Sequence, residues 1–271
     1  MNKRSLLAGP YIVWIIGFTV LPLLMIIFYA LGDGRGEMTM SNILAIFEPV
    51  HLKALLLALW LAILCTGICL VLAYPLALIL RKLNIGKQGM MAIIVILPMW
   101  VNFILRIMAW QLLLSRNGLI NGALGAIGLP GQDLANSSMA IVIGMVYDYL
   151  PFMILPVYNA VTDLKDDVIE AARDLGAPPK AVLTRIMIPL TKPGIISGIT
   201  MVFVPALTTF VISNLLGGSK ILLIGNVIEQ EFTQASNWHL GSGLSIVLML
   251  FIIVNMVLSA IFDKDGEGSF L

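Results

Sequence analysis

Six hydrophobic segments follow one another along this 271-residue chain, separated by shorter polar stretches. A helix needs roughly 20 apolar residues to cross the hydrocarbon core of a bilayer. The segments place membrane spans near residues 10–31, 54–80, 89–114, 137–160, 193–215 and 241–262. The pattern therefore predicts an all-α membrane protein with six transmembrane helices that form a single domain over residues 1–271.

The uncharged stretch 117–131 is not a seventh span, because five glycines and a proline interrupt it. We expect an external loop there that carries a short surface helix. In the first span, the apolar run is too long for a signal peptide, and we expect Pro22 to kink a helix instead of marking a cleavage site.

Composition supports the membrane assignment. Hydrophobic residues make up 59% of the chain, charged residues 11%, and the mean hydropathy is +1.00. A soluble domain of this size needs more charged surface than these residues supply. The net charge of +1 gives no basic surface for nucleic acid, so we expect no nucleic-acid partner. The apolar composition indicates a surface that faces membrane lipid.

The distribution of lysine and arginine predicts the orientation. With the N-terminus inside, the inner segments hold eleven of these residues and the outer loops hold four. Positive residues accumulate on the cytoplasmic side of membrane proteins. Both termini and the loop 161–192 are therefore predicted to be cytoplasmic.

That loop is the longest charged segment of the chain, and its first half predicts a helix over 164–175. Asp163 is suited to cap this helix, with Asp166 and Asp167 in the positive first turn. Gly176 follows at the position where a left-handed residue ends a helix.

The second half of the loop predicts a shorter helix. The pair Pro178-Pro179 suits its opening, residues 180–186 its body, and Pro189 its end. Ala171 and Ala172 allow close approach on one face of the first helix. We call residues 163–189 the knob, and expect it to be a rigid docking element for a partner.

The spacing within the knob resembles the EAA loop of ABC importer permeases. With Glu170 counted as the first place, Ala171 and Ala172 follow it directly. Gly176 occupies the seventh place and Pro189 the twentieth. The resemblance implies a type I ABC importer permease fold of the MetI-like kind, with cytoplasmic N- and C-termini. It also implies that the ATPase-coupling residues are Glu170, Ala171, Ala172 and Gly176.

Further stretches resemble the polyamine (spermidine/putrescine) branch of this permease family. They are 98–102 with Arg106, 150–153, 155–158, 215–220 and 222–226. The resemblance implies a multi-pass protein of the bacterial inner (plasma) membrane. The partners it implies are a dimer of cytoplasmic ATP-binding subunits, a second related permease subunit and an extracytoplasmic polyamine-binding protein.

Two charged residues, Arg106 and Asp148, fall inside predicted spans, and ionisable residues there are functional candidates. Counted from the outer ends of their spans at 1.5 Å per residue, both lie roughly 13–17 Å deep. Antiparallel neighbours with opposite charges at one depth can form a structural ion pair, which we favour. The alternative is a lining for a cationic or polar solute.

The candidate pathway also includes residues near these charges. Tyr147 and Tyr149 flank Asp148 and could offer ring faces to a cation. Asn102 gives the third span polar character, as Thr208, Thr209, Ser213 and Asn214 do for the fifth. From the sequence, these polar groups fit interhelical hydrogen bonds as well as solute contacts. Gly194 and Gly198 form a small-xxx-small face for close helix packing.

We expect no catalysis, cofactor or metal in this chain. His51 and His239 fall in outer loops without a second ligand, and no phosphate-binding G-x-x-x-x-G-K-[ST] motif occurs. Cys65 and Cys69 stand one turn apart in a span and are expected to pack against neighbouring helices. Any ATP hydrolysis must therefore come from a partner.

The sequence thus predicts the permease subunit of an ABC importer that takes up polyamines by alternating access. Two alternatives remain open: import of another small solute by the same machinery, and a secondary carrier driven by ions. The carrier would need inverted repeats and intramembrane ion sites.

Overall fold

The computed structural model describes residues 9–34, 37–82, 97–126, 128, 134–218 and 220–267, with side chains up to residue 261. Within these ranges the regular structure is helical, apart from an isolated antiparallel bridge between Gly32 and Met38. The all-α class predicted from the sequence is confirmed.

Four helices in the described ranges are long and apolar enough to cross a membrane, as expected for the first, second, fourth and sixth predicted spans. They are α1 (Gly9–Leu31), α3 (Pro49–Lys82), α6 (Ser138–Thr162) and α12 (Trp238–Glu267, apolar to Ile261). Between α1 and α3 lies the one-turn helix α2 (Ser41–Leu44).

Just before Pro22, helix α1 contains a π turn at Ile16–Val20. A wider turn of this kind relieves the backbone where the proline lacks its N–H. At the far end of α1, side chains from other parts of the chain bond to backbone carbonyls. Asn42 donates from Nδ2 to the Gly32 carbonyl at 2.8 Å, and His239 Nδ1 is hydrogen-bonded to the Tyr29 carbonyl at 2.9 Å.

The third predicted span, 89–114, lies partly outside the described residues. Its described part is not one continuous helix. A 3-10 turn at Leu97–Trp100 is followed by a break and then by α4 (Phe103–Leu114). The short helix expected within 117–131 is present as α5 (Leu119–Ala126).

The fifth predicted span, 193–215, is also divided. Helix α9 (Lys192–Thr208) ends at Thr208, and a six-residue helix, α10 (Val211–Leu216), follows. Before it, α8 (Pro179–Leu190) meets α9 at an angle of 67°. If this bent pair is one span, the described residues hold five candidate spans.

The core is formed by α3, α6 and α9, which pack against one another. Helix α3 faces its partners with small side chains at roughly one-turn intervals, and these are almost completely buried: Ala54, Ala58, Ala62, Cys65, Cys69, Ala73 and Ala77. Both cysteines are free thiols, as their expected packing role requires. The knob lies beyond α6, and the amphipathic helix α11 (Ile224–Thr233) lies between α10 and α12.

The predicted contact face at Gly194 and Gly198 is confirmed. A methyl group on Gly194 would lie 2.6 Å from the Pro156 carbonyl oxygen and would also meet Ala160. One on Gly198 would lie 2.6 Å from the sulfur of Met153. Helix α9 can therefore approach α6 closely only because these positions carry no side chain.

Gly194→Ala should destabilise the protein by about 1–3 kcal/mol, because the added methyl meets a backbone carbonyl that cannot move aside. Thermal unfolding of the purified protein in detergent measures the change. Gly67→Ala in α3 is the matched control, since nothing lies within 4 Å of its added carbon. Equal unfolding temperatures for the two variants would contradict the close-packing role.

Candidate functional site

The first helix of the knob is α7 (Asp166–Asp174), shorter than the predicted 164–175. Asp166 and Asp167 occupy its first turn as expected. The prediction that Asp163 caps this helix is wrong. Asp163 ends α6 instead, with its N–H donating to the Asn159 carbonyl, because that helix continues through Thr162.

Gly176 ends α7 in the left-handed conformation, with φ of +81°, as predicted. The Gly176 N–H donates to the Arg173 carbonyl at 2.8 Å, and the Ala177 N–H donates to the Ala172 carbonyl at 3.0 Å. These two bonds form a Schellman motif, which reverses the chain with little freedom.

The second knob helix does not stop at Pro189, contrary to the prediction. Helix α8 continues to Leu190 through a π turn at Leu183–Met187. The π turn widens the helix where the ring of Pro189 would otherwise meet the carbonyl of residue 185. The knob therefore leads directly into the 67° corner with α9.

The knob has a small core of its own. Ile169 and Ala172 from α7 are buried against Val182 from α8, with further apolar contacts from Ala177, Ile186 and Met187. Glu170, Ala171 and Gly176 are exposed, and Leu175 is 89% exposed. Of the four residues expected to couple, Ala172 packs inside the knob and the other three are on its surface.

Two side chains of α3 form hydrogen bonds to the knob and to the corner that follows it. Arg81 donates from Nη2 to the Leu164 carbonyl and to Asp166 Oδ1, both at 2.7 Å. The Tyr74 hydroxyl is hydrogen-bonded to that of Thr191, at the corner between α8 and α9, at 3.1 Å. From the sequence, Arg81 counts only among the positive residues that predict the membrane orientation, and Tyr74 is not identified as a contact residue. An arginine at the end of an apolar span was the available signal.

The ion pair expected inside the predicted spans is present. Arg106 Nη2 on α4 lies 3.2 Å from Asp148 Oδ1 on α6, and Asp148 is 2% exposed. The other carboxylate oxygen, Oδ2, has no hydrogen-bond partner within the described part of the chain. A buried carboxylate in this position depends on its cation, since desolvation otherwise disfavours the charge.

The two tyrosines beside Asp148 do not converge on one point. Tyr147 is partly exposed and packs edge-on against Trp110 of α4, with ring centroids 5.4 Å apart. Tyr149 is buried and donates its hydroxyl to the Pro205 carbonyl on α9 at 3.3 Å. Each ring therefore links α6 to a different neighbour.

Other polar candidates make structural hydrogen bonds. Asn102 Oδ1 accepts from the N–H groups of Ile104 at 2.9 Å and Leu105 at 3.3 Å, so Asn102 caps α4. Ser213 donates to the Ile221 carbonyl at 2.8 Å. Asn214 accepts from Asn226 on α11, also at 2.8 Å.

No group of three or more potential metal ligands is found in the residues that the structure describes. His51 is buried, and its Nδ1 is hydrogen-bonded to the Ala45 carbonyl at 2.7 Å. His239 caps α1, as described above. Both histidines thus have structural partners.

The described residues thus form a helical body with four helices long enough to cross a membrane, together with a pair of short helices that pack on each other. The model of the family "Binding-protein-dependent transport system inner membrane component" matches residues 4–265. The chain therefore belongs to this family of ABC importer permeases, which are multi-pass proteins of the inner membrane.

Two curated relatives are similar over nearly the whole chain. The spermidine/putrescine transport system permease protein PotB of Haemophilus influenzae is 37% identical, with 94% of this chain and 93% of the relative covered. The protein of the same description from Escherichia coli is 38% identical, covering 94% of this chain and 97% of the relative.

A solved structure supports the fold. The crystal structure of a bacterial alginate ABC transporter, in complex with an alginate pentasaccharide-bound periplasmic protein, contains a chain that superposes with a TM-score of 0.78. The match covers 94% of this chain and 92% of that one at 17% identity. The predicted MetI-like permease fold is confirmed at this level.

Asp148→Asn should lower the amount of protein in the membrane, because it removes the negative charge that lies 3.2 Å from the Arg106 guanidinium. Breaking one side of a buried pair costs about 3–5 kcal/mol. The double variant with Arg106→Gln should recover part of the loss. Membrane abundance, measured by immunoblot, tests both.

Asp163→Asn is the control for this pair, since Asp163 is exposed. Normal abundance of Asp148→Asn together with a selective loss of uptake would contradict a structural pair. Such a result would instead support contact between Asp148 and a solute.

Proposed function

We propose that this chain is the permease subunit of an ABC importer that takes up polyamines such as spermidine and putrescine. The observation that carries the proposal is the full-length similarity to two permeases named for spermidine/putrescine transport, at 37% and 38% identity. Family membership argues against an ion-driven secondary carrier. Import of another small solute by the same machinery is the remaining alternative.

The proposed assembly has four kinds of component. This permease pairs with a second, related permease subunit, and a dimer of cytoplasmic ATP-binding subunits docks below both. An extracytoplasmic binding protein delivers the polyamine. Within the chain, we propose a single domain of six spans with both termini cytoplasmic, in which residues 89–114 contribute the third span and residues 193–215, within α9 and α10, contribute the fifth.

We propose that the knob receives the movement of the ATP-binding subunits through Glu170, Ala171 and Gly176 on its exposed surface. Ala172 acts indirectly by packing α7 onto α8, so that the knob moves as one piece. The attachments through Arg81 and Tyr74 then pass the movement to α3. Closure of the ATPase dimer would rock the core helices and open a central path inward.

For the residues around Asp148, we propose a structural role first. The Arg106–Asp148 pair and the Trp110–Tyr147 contact hold α4 against α6, and Asn102 fixes the start of α4. Tyr149 joins α6 to α9. These contacts would keep the helices beside the transport path in register.

Reconstitution tests the function directly. Proteoliposomes that contain both permease subunits and the ATP-binding subunits, with binding protein outside, should accumulate radiolabelled spermidine when ATP is enclosed. Vesicles without the ATP-binding subunits should accumulate none. ATP-independent uptake would favour a carrier, and ATP-dependent uptake of a different solute in place of spermidine would overturn the polyamine assignment.

Gly176→Val should uncouple the transporter while leaving it in the membrane. A β-branched residue in the left-handed conformation adds about 1–2 kcal/mol of backbone strain and shifts the knob surface. Nothing lies within 4 Å of the added carbon, so the effect comes from the backbone and not from a clash. Spermidine uptake and ATPase activity are measured on the same reconstituted complex.

Gly176→Asn is the matched control, because asparagine tolerates positive φ. It should retain most of the uptake that Gly176→Val loses. Equal, normal uptake by both variants would contradict the assignment of Gly176 to coupling.

A further inference from the structure

A cleft of about 430 Å³ opens where α9 ends, bordered by α11 and α12. Most of its wall is apolar. Polar and aromatic groups are contributed by Thr208, Phe210, Glu229, Phe232, Thr233 and Ser245. None of these residues was a candidate from the sequence except Thr208.

The charge in this cleft has one sign. Among the lining residues that the structure describes, Glu229 is the only ionisable one. A carboxylate that lines a mainly apolar cleft attracts a cation by direct charge–charge interaction.

The hydroxyl protons in the cleft already take part in hydrogen bonds within the protein. Thr208, Thr233 and Ser245 each donate to the backbone carbonyl four residues earlier, at 3.1, 2.7 and 2.7 Å, and the Thr233 hydroxyl also lies 3.1 Å from Glu229 Oε1. A hydroxyl has one proton and two lone pairs, so each of these groups can still accept a hydrogen bond. The polar side chains of the cleft therefore offer acceptors to a ligand and few donors.

The break after α9 shapes the site. Phe210 follows the break and is 40% exposed, and Phe232 lies along α11. A methyl group on Gly225 would lie 2.8 Å from the carbonyl oxygens of both Thr208 and Thr209. Helix α11 can therefore pack closely against the break between α9 and α10 because position 225 is a glycine. This contact places Glu229, one turn further along α11, in the same cleft as the rings of Phe210 and Phe232.

We propose that this cleft binds a primary ammonium group of a linear polyamine, with Glu229 as its counter-ion. An ammonium carries three donors and no acceptor, which matches a site of carboxylate and hydroxyl acceptors. The two phenyl rings add cation–π attraction. A sugar or an anion would need donors that these side chains do not supply. The inference rests on the proposed polyamine transport and assigns a residue to its recognition.

Glu229→Gln tests the site, since it removes the charge and keeps the shape. In the reconstituted complex with saturating binding protein, spermidine uptake per incorporated transporter should fall about tenfold, the scale of a lost hydrogen bond to a charged group. Glu229→Asp, which keeps the charge on a shorter side chain, should recover part of the uptake.

Glu231→Gln on the same helix is the matched control, because Glu231 does not line the cleft, and it should transport normally. Wild-type uptake by Glu229→Gln would overturn the ammonium site and leave polyamine transport standing. An equal loss in Glu229→Asp and Glu229→Gln would also overturn it, since shape and not charge would then be limiting. Failure of the wild-type complex to import polyamine would overturn both the site and the proposed function.

Discussion

Helices in a bilayer gain little from the hydrophobic effect when they associate, since lipid tails are as apolar as leucine side chains. Their association depends on close van der Waals packing, which small residues permit. In this permease the constraint falls on α3, where alanine and cysteine side chains line the buried face, and on α9, where Gly194 and Gly198 meet α6. The positions of the other elements depend on this three-helix contact.

The same low-dielectric surroundings explain how polar groups are arranged around the core. Helices α6 and α9 contain prolines and chain ends that leave carbonyls without helical partners. Side chains from neighbouring helices supply the missing bonds, as Tyr149 does for Pro205. The Arg106–Asp148 pair follows the same rule for charge. Each of these polar contacts joins two helices, so satisfying a buried group also fixes its neighbour.

Much of this arrangement was predictable from local pattern. Span length identified α1, α3, α6 and α12, and counting residues from the span ends placed Arg106 and Asp148 at one depth. Gly176 was predictable because ending a helix in the left-handed conformation is a local property of glycine.

The predictions that were wrong, and the contacts that were not predicted, share a cause. They depend on tertiary contacts or on how far a helix continues, which the local sequence does not determine. Asp163 is a good capping residue by type, but the preceding helix runs far enough to include it. Pro189 usually stops a helix, yet a π turn carries α8 past it. The attachments made by Tyr74 and Arg81, and the cleft beside Glu229, join residues far apart in the chain. Their sequence neighbours give no indication of those partners.

The corner between α8 and α9 has a mechanical consequence. Helix α8 is about 18 Å long at 1.5 Å per residue, and it meets α9 at 67° with Thr191 of the corner bonded to Tyr74 of α3. Helix α8 therefore projects from a corner that is hydrogen-bonded to α3, the second predicted span. A displacement of α8 would reach α9 at this corner, and the far end of α9 forms part of the wall of the cleft that Glu229 lines.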